Sequence, residues 1–210
     1  RPLIEYWKTQ LDKLGVTVRF QEAGVEAARG ADVVVVAIGG MPSAPNIPGM
    51  EGKNVTEALA VFNGTATVGH KVVVLGGGET AVEVALYLDD QGHDVTILHR
   101  REALMTRDVA VTDRIAYSEM IATRGLPVFT NLQVVAIDEH GVSAVDSNGG
   151  NTRVEADTVV TALGYRPLAS SLAGSLRAAG VPEVHEIGDG VHPAKILDAV
   201  HAGYKLGMRI

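Results

Sequence analysis

The spacing of apolar side chains changes several times along this chain. From Leu3 to Leu14 they recur at Leu3, Ile4, Trp7, Leu11 and Leu14, one face of a helix, and Gly15 stands where a C-cap belongs. Val16 to Phe20 reads as a short strand and Val25 to Arg29 as a helical turn. Ala31 to Ile38 is a nearly unbroken apolar run, the pattern of a fully buried parallel strand. Gly39-Gly40 closes that run. The Pro-rich stretch Met41 to Gly49 then predicts an extended connector and a crossing between domains.

The clearest periodicity follows. Lys71 to Leu75 predicts a strand, Glu79 to Asp90 a helix and Asp94 to Leu98 a second strand, a βαβ unit. A helix from about Thr112 to Arg124 and a strand Leu126 to Thr130 extend it. The period then drops to two. Leu132 to Asp138, Gly141 to Asp146 and Arg153 to Glu155, with the turn signal Asn148-Gly149-Gly150, predict a small antiparallel meander. Asp157 to Leu163 reads as another buried strand ending at Gly164. Pro167 to Gly180, rich in Ser, Ala and Gly, predicts irregular structure with some helix. Val184 to Ile187 predicts a last strand, Gly188-Asp189-Gly190 closes it, and Ala194 to Met208 predicts a helix.

Composition narrows the function classes. The chain has 25 acidic and 18 basic residues, a net charge of −7, which argues against a general nucleic-acid or anionic-membrane surface. Its longest apolar runs are too short to span a bilayer, and no signal peptide is evident. With no cysteine, disulfides, thiolate metal sites and Fe–S ligation by this chain are excluded, which fits a cytoplasmic protein. The seven histidines show no ligand spacing, so no metal site is expected. The Ser170-Ser171 pair lacks a Gly-x-Ser-x-Gly elbow, and nothing supports a hydrolase. The start at Arg1-Pro2 suggests a processed protein or a piece of a longer one.

The candidate chemistry lies in the turn inside the βαβ unit. It reads Gly76-Gly77-Gly78-Glu79-Thr80-Ala81 and fits Gly-x-Gly-x-x-Ala between a strand and a helix. Gly76 allows the tight turn, Gly78 lets the backbone approach a pyrophosphate, and Ala81 lets the helix pack closely on the sheet. The helix N-terminus adds attraction for phosphate. A glycine-rich turn without ligand is the alternative. The second strand ends Leu98-His99-Arg100-Arg101-Glu102. An NAD site places a carboxylate there for the ribose hydroxyls, whereas His99 followed by two guanidinium groups points to the 2′-phosphate of NADP(H). NADH remains open, as does a solvated basic loop in which Glu102 pairs one arginine.

Four motifs in order carry a family resemblance: Asp32 to Gly39 with Ile47-Pro48-Gly49, the Gly76/Gly78/Ala81 turn, Asp157 to Gly164 with Tyr165-Arg166-Pro167, and Ile187-Gly188-Asp189. The chain resembles the pyridine nucleotide-disulfide oxidoreductase superfamily, flavoproteins with two dinucleotide-binding domains. It looks most like the C-terminal half of the 2,4-dienoyl-CoA reductase and 2-enoate reductase group.

The resemblance implies an α/β fold: a Rossmann-like NAD(P) domain over residues 66–165, with a parallel sheet and an antiparallel meander, inserted in a partial FAD-type domain formed by 1–65 and 166–210. It implies that Glu79 and Thr80 face the nicotinamide and flavin, that Ala162 and Gly164 border the coenzyme crevice, and that Gly188 and Asp189 meet the ribityl chain of FAD. The helix after them would point its N-terminus at the flavin. The earlier glycine fingerprint for the ADP part of FAD, and the FMN barrel and cysteine-ligated 4Fe–4S cluster of the enoate-reductase relatives, are not in this sequence.

The function expected is the NAD(P)H module of a flavin-dependent oxidoreductase, passing hydride from NADPH to FAD. Its partners are the nicotinamide coenzyme, flavin and N-terminal domains of the same protein. No catalytic acid or base is required, and the chain alone is expected to be inactive. Two alternatives stay open: a self-standing NAD(P)-dependent dehydrogenase, and a non-catalytic nucleotide-sensing or docking module.

Overall fold

The computed structural model of the chain describes residues 2–168 and 171–210. Arg1, Ala169 and Ser170 lie outside them, and with them part of the Ser-, Ala- and Gly-rich stretch and one member of the serine pair. In chain order the elements begin with α1 (Pro2–Lys13), β1 (Val33–Val36), β2 (Gly40–Pro42), β3 (Val55–Glu57) and α2 (Ala58–Phe62). Then come β4 (Lys71–Leu75), α3 (Glu79–Asp90), β5 (Asp94–Leu98), α4 (Val111–Arg124) and β6 (Val128–Phe129). The meander is β7 (Gln133–Asp138), β8 (Gly141–Val145) and β9 (Asn151–Glu155). β10 (Thr158–Thr161), β11 (Tyr165–Pro167), α5 (Leu172–Ala178), β12 (Glu183–Glu186) and α6 (Ile196–Gly207) complete the chain. Among the described residues no helix is long and apolar enough to cross a membrane.

The chain divides into two units, Arg1–Ile38 with Ala169–Ile210, and Gly39–Leu168. The division falls at 38/39 and 168/169, not at the expected 65/66 and 165/166. The cause is β3, which pairs in parallel with β10, and α2, whose Ala58 and Val61 are buried in the same core as α3. Residues 39–65 therefore belong with the βαβ unit. The Pro-rich connector is more than a linker: β2 pairs antiparallel with β11, and the Pro48 carbonyl accepts the Ile137 N–H at 2.8 Å. Next to it Gly49, at φ +85°, lies so close to the Ile137 carbonyl that a side chain would overlap it.

In this unit the sheet order is β3-β10-β4-β5-β6, with every pair parallel. The two-residue alternation of a strand sorts its side chains to opposite faces. Val72 and Val74 of β4, Val95 and Ile97 of β5, and Val160 of β10 enter a core with Ala81, Val82, Val84, Ala85 and Leu88 of α3. Val73, Leu75, Leu98 and Val159 enter a second core with Ile137, Val142 and Ala144 of the meander. The sheet is covered on both faces, which is why β4 reads as an unbroken apolar run. Tyr117 of α4 donates to Glu83 of α3 at 2.9 Å, and Arg124 binds Asp89 at 3.0 Å and Asp90 at 2.5 Å. These contacts tie α4 to α3.

The other unit is smaller inside. β1 and β12 form a two-stranded parallel sheet, and the buried core is Val36, Ala173 and Leu176, with Val25, Val34, Val181 and Val184 packed around it. β1 was expected to be fully buried, but only Val36 is, because among the described residues β1 pairs on one edge alone. Val16 to Phe20 forms no strand. No described strand pairs with it, and Phe20 is 93% exposed. Neither α1 nor α6 has a buried residue.

In the meander, Asp138 accepts hydrogen bonds from the Arg153 guanidinium and from the His140 N–H at 2.9 Å. The arginine first, and the N–H after it, hold this carboxyl at about 2, below the ordinary 3.8. A carboxyl with a lowered folded-state pKa stabilises the fold above its unfolded pKa and loses that contribution as pH falls through the folded value. Thermal melts between about pH 5 and pH 2 should therefore fall less steeply for Asp138→Asn than for the parent, with the difference confined below about pH 4.

Candidate active site at the carboxyl edge of the parallel sheet

The chain enters the sheet at the edge strand β3, crosses to β4, runs outward through β5 and β6, and returns to β10 between β3 and β4. The strand order reverses between β4 and β10. In open parallel sheets, ligands bind outside the carboxyl ends of the strands at such a point. Two turns meet there, Gly76 to Gly78 after β4 and Ala162 to Gly164 after β10.

The first turn is fixed by its neighbours. Gly76 donates its N–H to the Leu98 carbonyl at 3.0 Å, and the Ala162 N–H reaches the Leu75 carbonyl at 2.8 Å. Gly76 sits at φ +144°, and a side chain on it would overlap the Ala162 carbonyl oxygen. A Cβ there would also lie 3.2 Å from the Ala81 methyl, so a small residue at 81 keeps α3 against the turn. Ala81 is fully buried. Gly78 is the N-cap of α3, exposed, with nothing within 4 Å of where a side chain would extend. The backbone is open to solvent at the position where a phosphate would approach.

Three other residues singled out in the sequence stand beside this turn. His99 follows β5 with its ring over Gly77. Burial first, then the guanidinium groups of Arg101 and Arg100, push its pKa below the ordinary value. Arg100 is exposed and Arg101 half-buried. Among the described residues neither guanidinium has an ion pair or hydrogen bond, with Glu102 or with anything else. Glu79 and Thr80 form the first turn of α3.

Thr80 also lines a shallow cleft with Thr161, Ala162, Leu163, Gly164 and Tyr165, closed on its other side by Ser43 and Glu57. Ser43 and Glu57 were missed in the sequence. Glu57 ends the three-residue β3, and Ser43 follows β2, held by its N–H to the Gly164 carbonyl at 2.9 Å.

Gly188 and Asp189 lie in the other unit, in a 3-10 turn after β12. Asp189 is half-buried, and one carboxylate oxygen accepts the Ala194 N–H at 3.3 Å, just before α6. Among the described residues no three His, Asp or Glu side chains gather as a metal site.

Comparison with known proteins now adds to this geometry. Residues 5–188 match the family model described as pyridine nucleotide-disulphide oxidoreductase. The chain belongs to this family. It is 32% identical to an NADH oxidase of Thermoanaerobacter brockii over 217 residues, covering 98% of this chain and 32% of that protein. A cinnamate reductase of Clostridium sporogenes is 26% identical over 215 residues, covering 100% of this chain and 32% of the relative. Among solved structures, a 2-naphthoyl-CoA reductase in complex with 2-naphthoyl-CoA superposes with a TM-score of 0.87 at 34% identity, over 99% of this chain and 32% of that one. The chain thus spans about a third of the length of these relatives, all of them oxidoreductases by name.

The two fingerprint glycines should respond differently to a methyl group. Gly76→Ala combines a glycine-only backbone angle with an overlap against backbone, and should cost about 2–6 kcal/mol in denaturant unfolding. Gly78→Ala enters open space and should cost about 1 kcal/mol or less, the effect of a poorer N-cap.

Proposed function

We propose that this chain is the NAD(P)H-binding part of a flavin-dependent oxidoreductase of the enoate or 2,4-dienoyl-CoA reductase type, preferring NADPH to NADH. The observation that carries this reading is the pairing of an open glycine turn with two uncommitted guanidinium groups. Gly78 offers its backbone without steric hindrance, and Arg100 and Arg101 stand at the end of the adjacent strand with no protein anion among the described residues. A carboxylate that would select the ribose diol of NADH is replaced by His99. Guanidinium forks match a phosphate in both geometry and charge.

In this reading Gly76, Gly78 and the first turn of α3 hold the pyrophosphate, with Gly77 as the link between the two glycines, and Thr80, Ala162 and Gly164 border the nicotinamide. Gly188 and Asp189 hold flavin, with the uncommitted carboxylate oxygen of Asp189 as the acceptor for a ribityl hydroxyl. When bound, the coenzyme supplies the hydride and FAD accepts it. The chain's own residues orient and exclude water, and none has to move a proton.

The smaller unit supports the need for further domains. Its α1 exposes Leu3, Ile4 and Trp7, its α6 exposes Ile196 and Tyr204, and among the described residues its core has three buried side chains. The N-terminal domains of the same protein are the proposed partner of these faces. FMN and a 4Fe–4S cluster would reside there, since this chain has no cysteine to ligate iron. The proposed compartment is the cytoplasm.

Calorimetric titration of the full-length protein at low salt should show NADPH binding more tightly than NADH. Arg100→Ala or Arg101→Ala should cost NADPH about 1.5–3 kcal/mol and NADH little, since each removes a charge-assisted bond to a group that only NADPH carries. Gly78→Ala should weaken both coenzymes. Equal or tighter binding of NADH by the parent would overturn the preference.

A further inference from the structure

Position 77 has no assigned role in the fingerprint Gly76-x-Gly78-x-x-Ala81, yet it holds a glycine that nothing in the backbone demands. Gly77 is not among the positive-φ residues. It differs from Gly78 in what surrounds it. A Cβ on Gly77 would fall within the imidazole of His99, on Nδ1, Cγ and Cε1, whereas a Cβ on Gly78 would meet nothing. The space a side chain would fill at 77 is taken by a side chain from the end of the neighbouring strand.

That ring is held from several sides. The His99 N–H donates to the Phe129 carbonyl at 2.8 Å, and the His99 carbonyl accepts the Leu132 N–H at 3.1 Å. Beyond the ring the chain folds back over the turn. Met105, 2% exposed and in the left-handed region at φ 53°, donates its N–H to the Gly77 carbonyl at 2.6 Å. A buried, non-glycine residue with that angle persists only where its surroundings over-determine it. The Arg101 carbonyl accepts the Asn131 N–H at 3.0 Å, so the segment is also anchored on its far side. Gly77 is thus gripped by the ring at its Cα and by Met105 at its carbonyl, with Arg100 and Arg101 between those two holds.

We propose that His99 is a positioning residue: its imidazole, seated on Gly77, sets the register between the phosphate turn and the Arg100-Arg101 pair and so fixes the choice between NADPH and NADH. This rests on the coenzyme reading above. It assigns the histidine a steric role and leaves contact with the 2′-phosphate to the arginines. An uncharged ring suits that role, and burial with two adjacent guanidinium groups disfavours its protonation.

The test is a double-mutant cycle on the full-length protein, with NADP+ and NAD+ as probes in calorimetry. Gly77→Ala forces the ring and the following segment away, and should weaken NADP+ about tenfold while changing NAD+ about threefold or less. In a His99→Ala background the same Gly77→Ala change should alter NADP+ affinity by about twofold at most, because the overlap is gone. His99→Phe keeps a ring without nitrogen and should hold the NADP+ preference within about threefold of the parent.

Equal loss of both coenzymes in Gly77→Ala, or the same loss with and without the ring, would assign Gly77 to the pyrophosphate and overturn the proposal. A large loss of NADP+ binding in His99→Phe would make the imidazole a phosphate ligand and overturn it as well. NAD+ binding reports that each variant is folded. A parent protein that binds neither probe would instead sink the coenzyme reading on which this one stands.

Discussion

Between Gly76 and the carbonyl oxygen of Ala162 there is no room for one more carbon atom, and the arrangement of the larger unit follows from that approach. β4 and β10 are parallel neighbours in register, Leu75 opposite Thr161. Parallel strands lie about 4.8 Å apart, so chains leaving the same edge of the sheet must diverge at once or collide. β4 commits its last carbonyl to β10 and its next N–H to β5. It then turns into α3 within three residues. Because the turn is so tight, the buried face of α3 lies directly on the sheet, with Ala81, Val82, Val84 and Ala85 fully inaccessible. The helix N-terminus is thereby held over the carboxyl edge of the strands. A side chain at 76 would displace the helix, and the open backbone at Gly78 would go with it.

The electrostatics of this unit sort themselves around the same edge. The chain is acidic overall, and in this unit Arg124 pairs with Asp89 and Asp90, Arg153 with Asp138, and Lys71 with Glu155. At the turn, two adjacent guanidinium groups stand without a counter-ion among the described residues. Like charges so placed repel, and the cost is modest while they remain in water. It becomes a gain when an anion arrives, since both charges and the helix dipole then act on one group.

How far the sequence reveals this depends on which interactions are local. β4, α3 and β5 match their expected bounds because both faces of the sheet are covered and the α3 face repeats at helical spacing. Val16 to Phe20 alternates as a strand should but has no described partner, and alternation alone cannot supply one. β2, β3 and β11 are three residues long, and Gly40-Met41-Pro42 carries no strand propensity at all. They exist because neighbouring strands offer them hydrogen bonds. This misplaced the boundary between the units. The site divides in the same way. The fingerprint spacing and the absence of an acid after β5 are written in consecutive residues. The contact between Gly77 and His99, 22 positions apart, arises only when β5 lies beside β4.

The two units also differ in how they can be held together. In Gly39–Leu168 the sheet separates two cores, so the central strands β4, β5 and β10 bury side chains on both faces. In the other unit three of the described residues are buried, while Ile196 is 83% exposed and Tyr204 68% on one face of α6. Burial of apolar area at about 25 cal/mol per Å² is what opposes chain entropy, and three small contributions do not match the cost of ordering some eighty residues. Local opening begins where buried contacts are fewest. The turn, the arginines and the cleft therefore sit on the part of the chain with the larger buried cores, whereas Gly188 and Asp189 sit on the part with the smaller one.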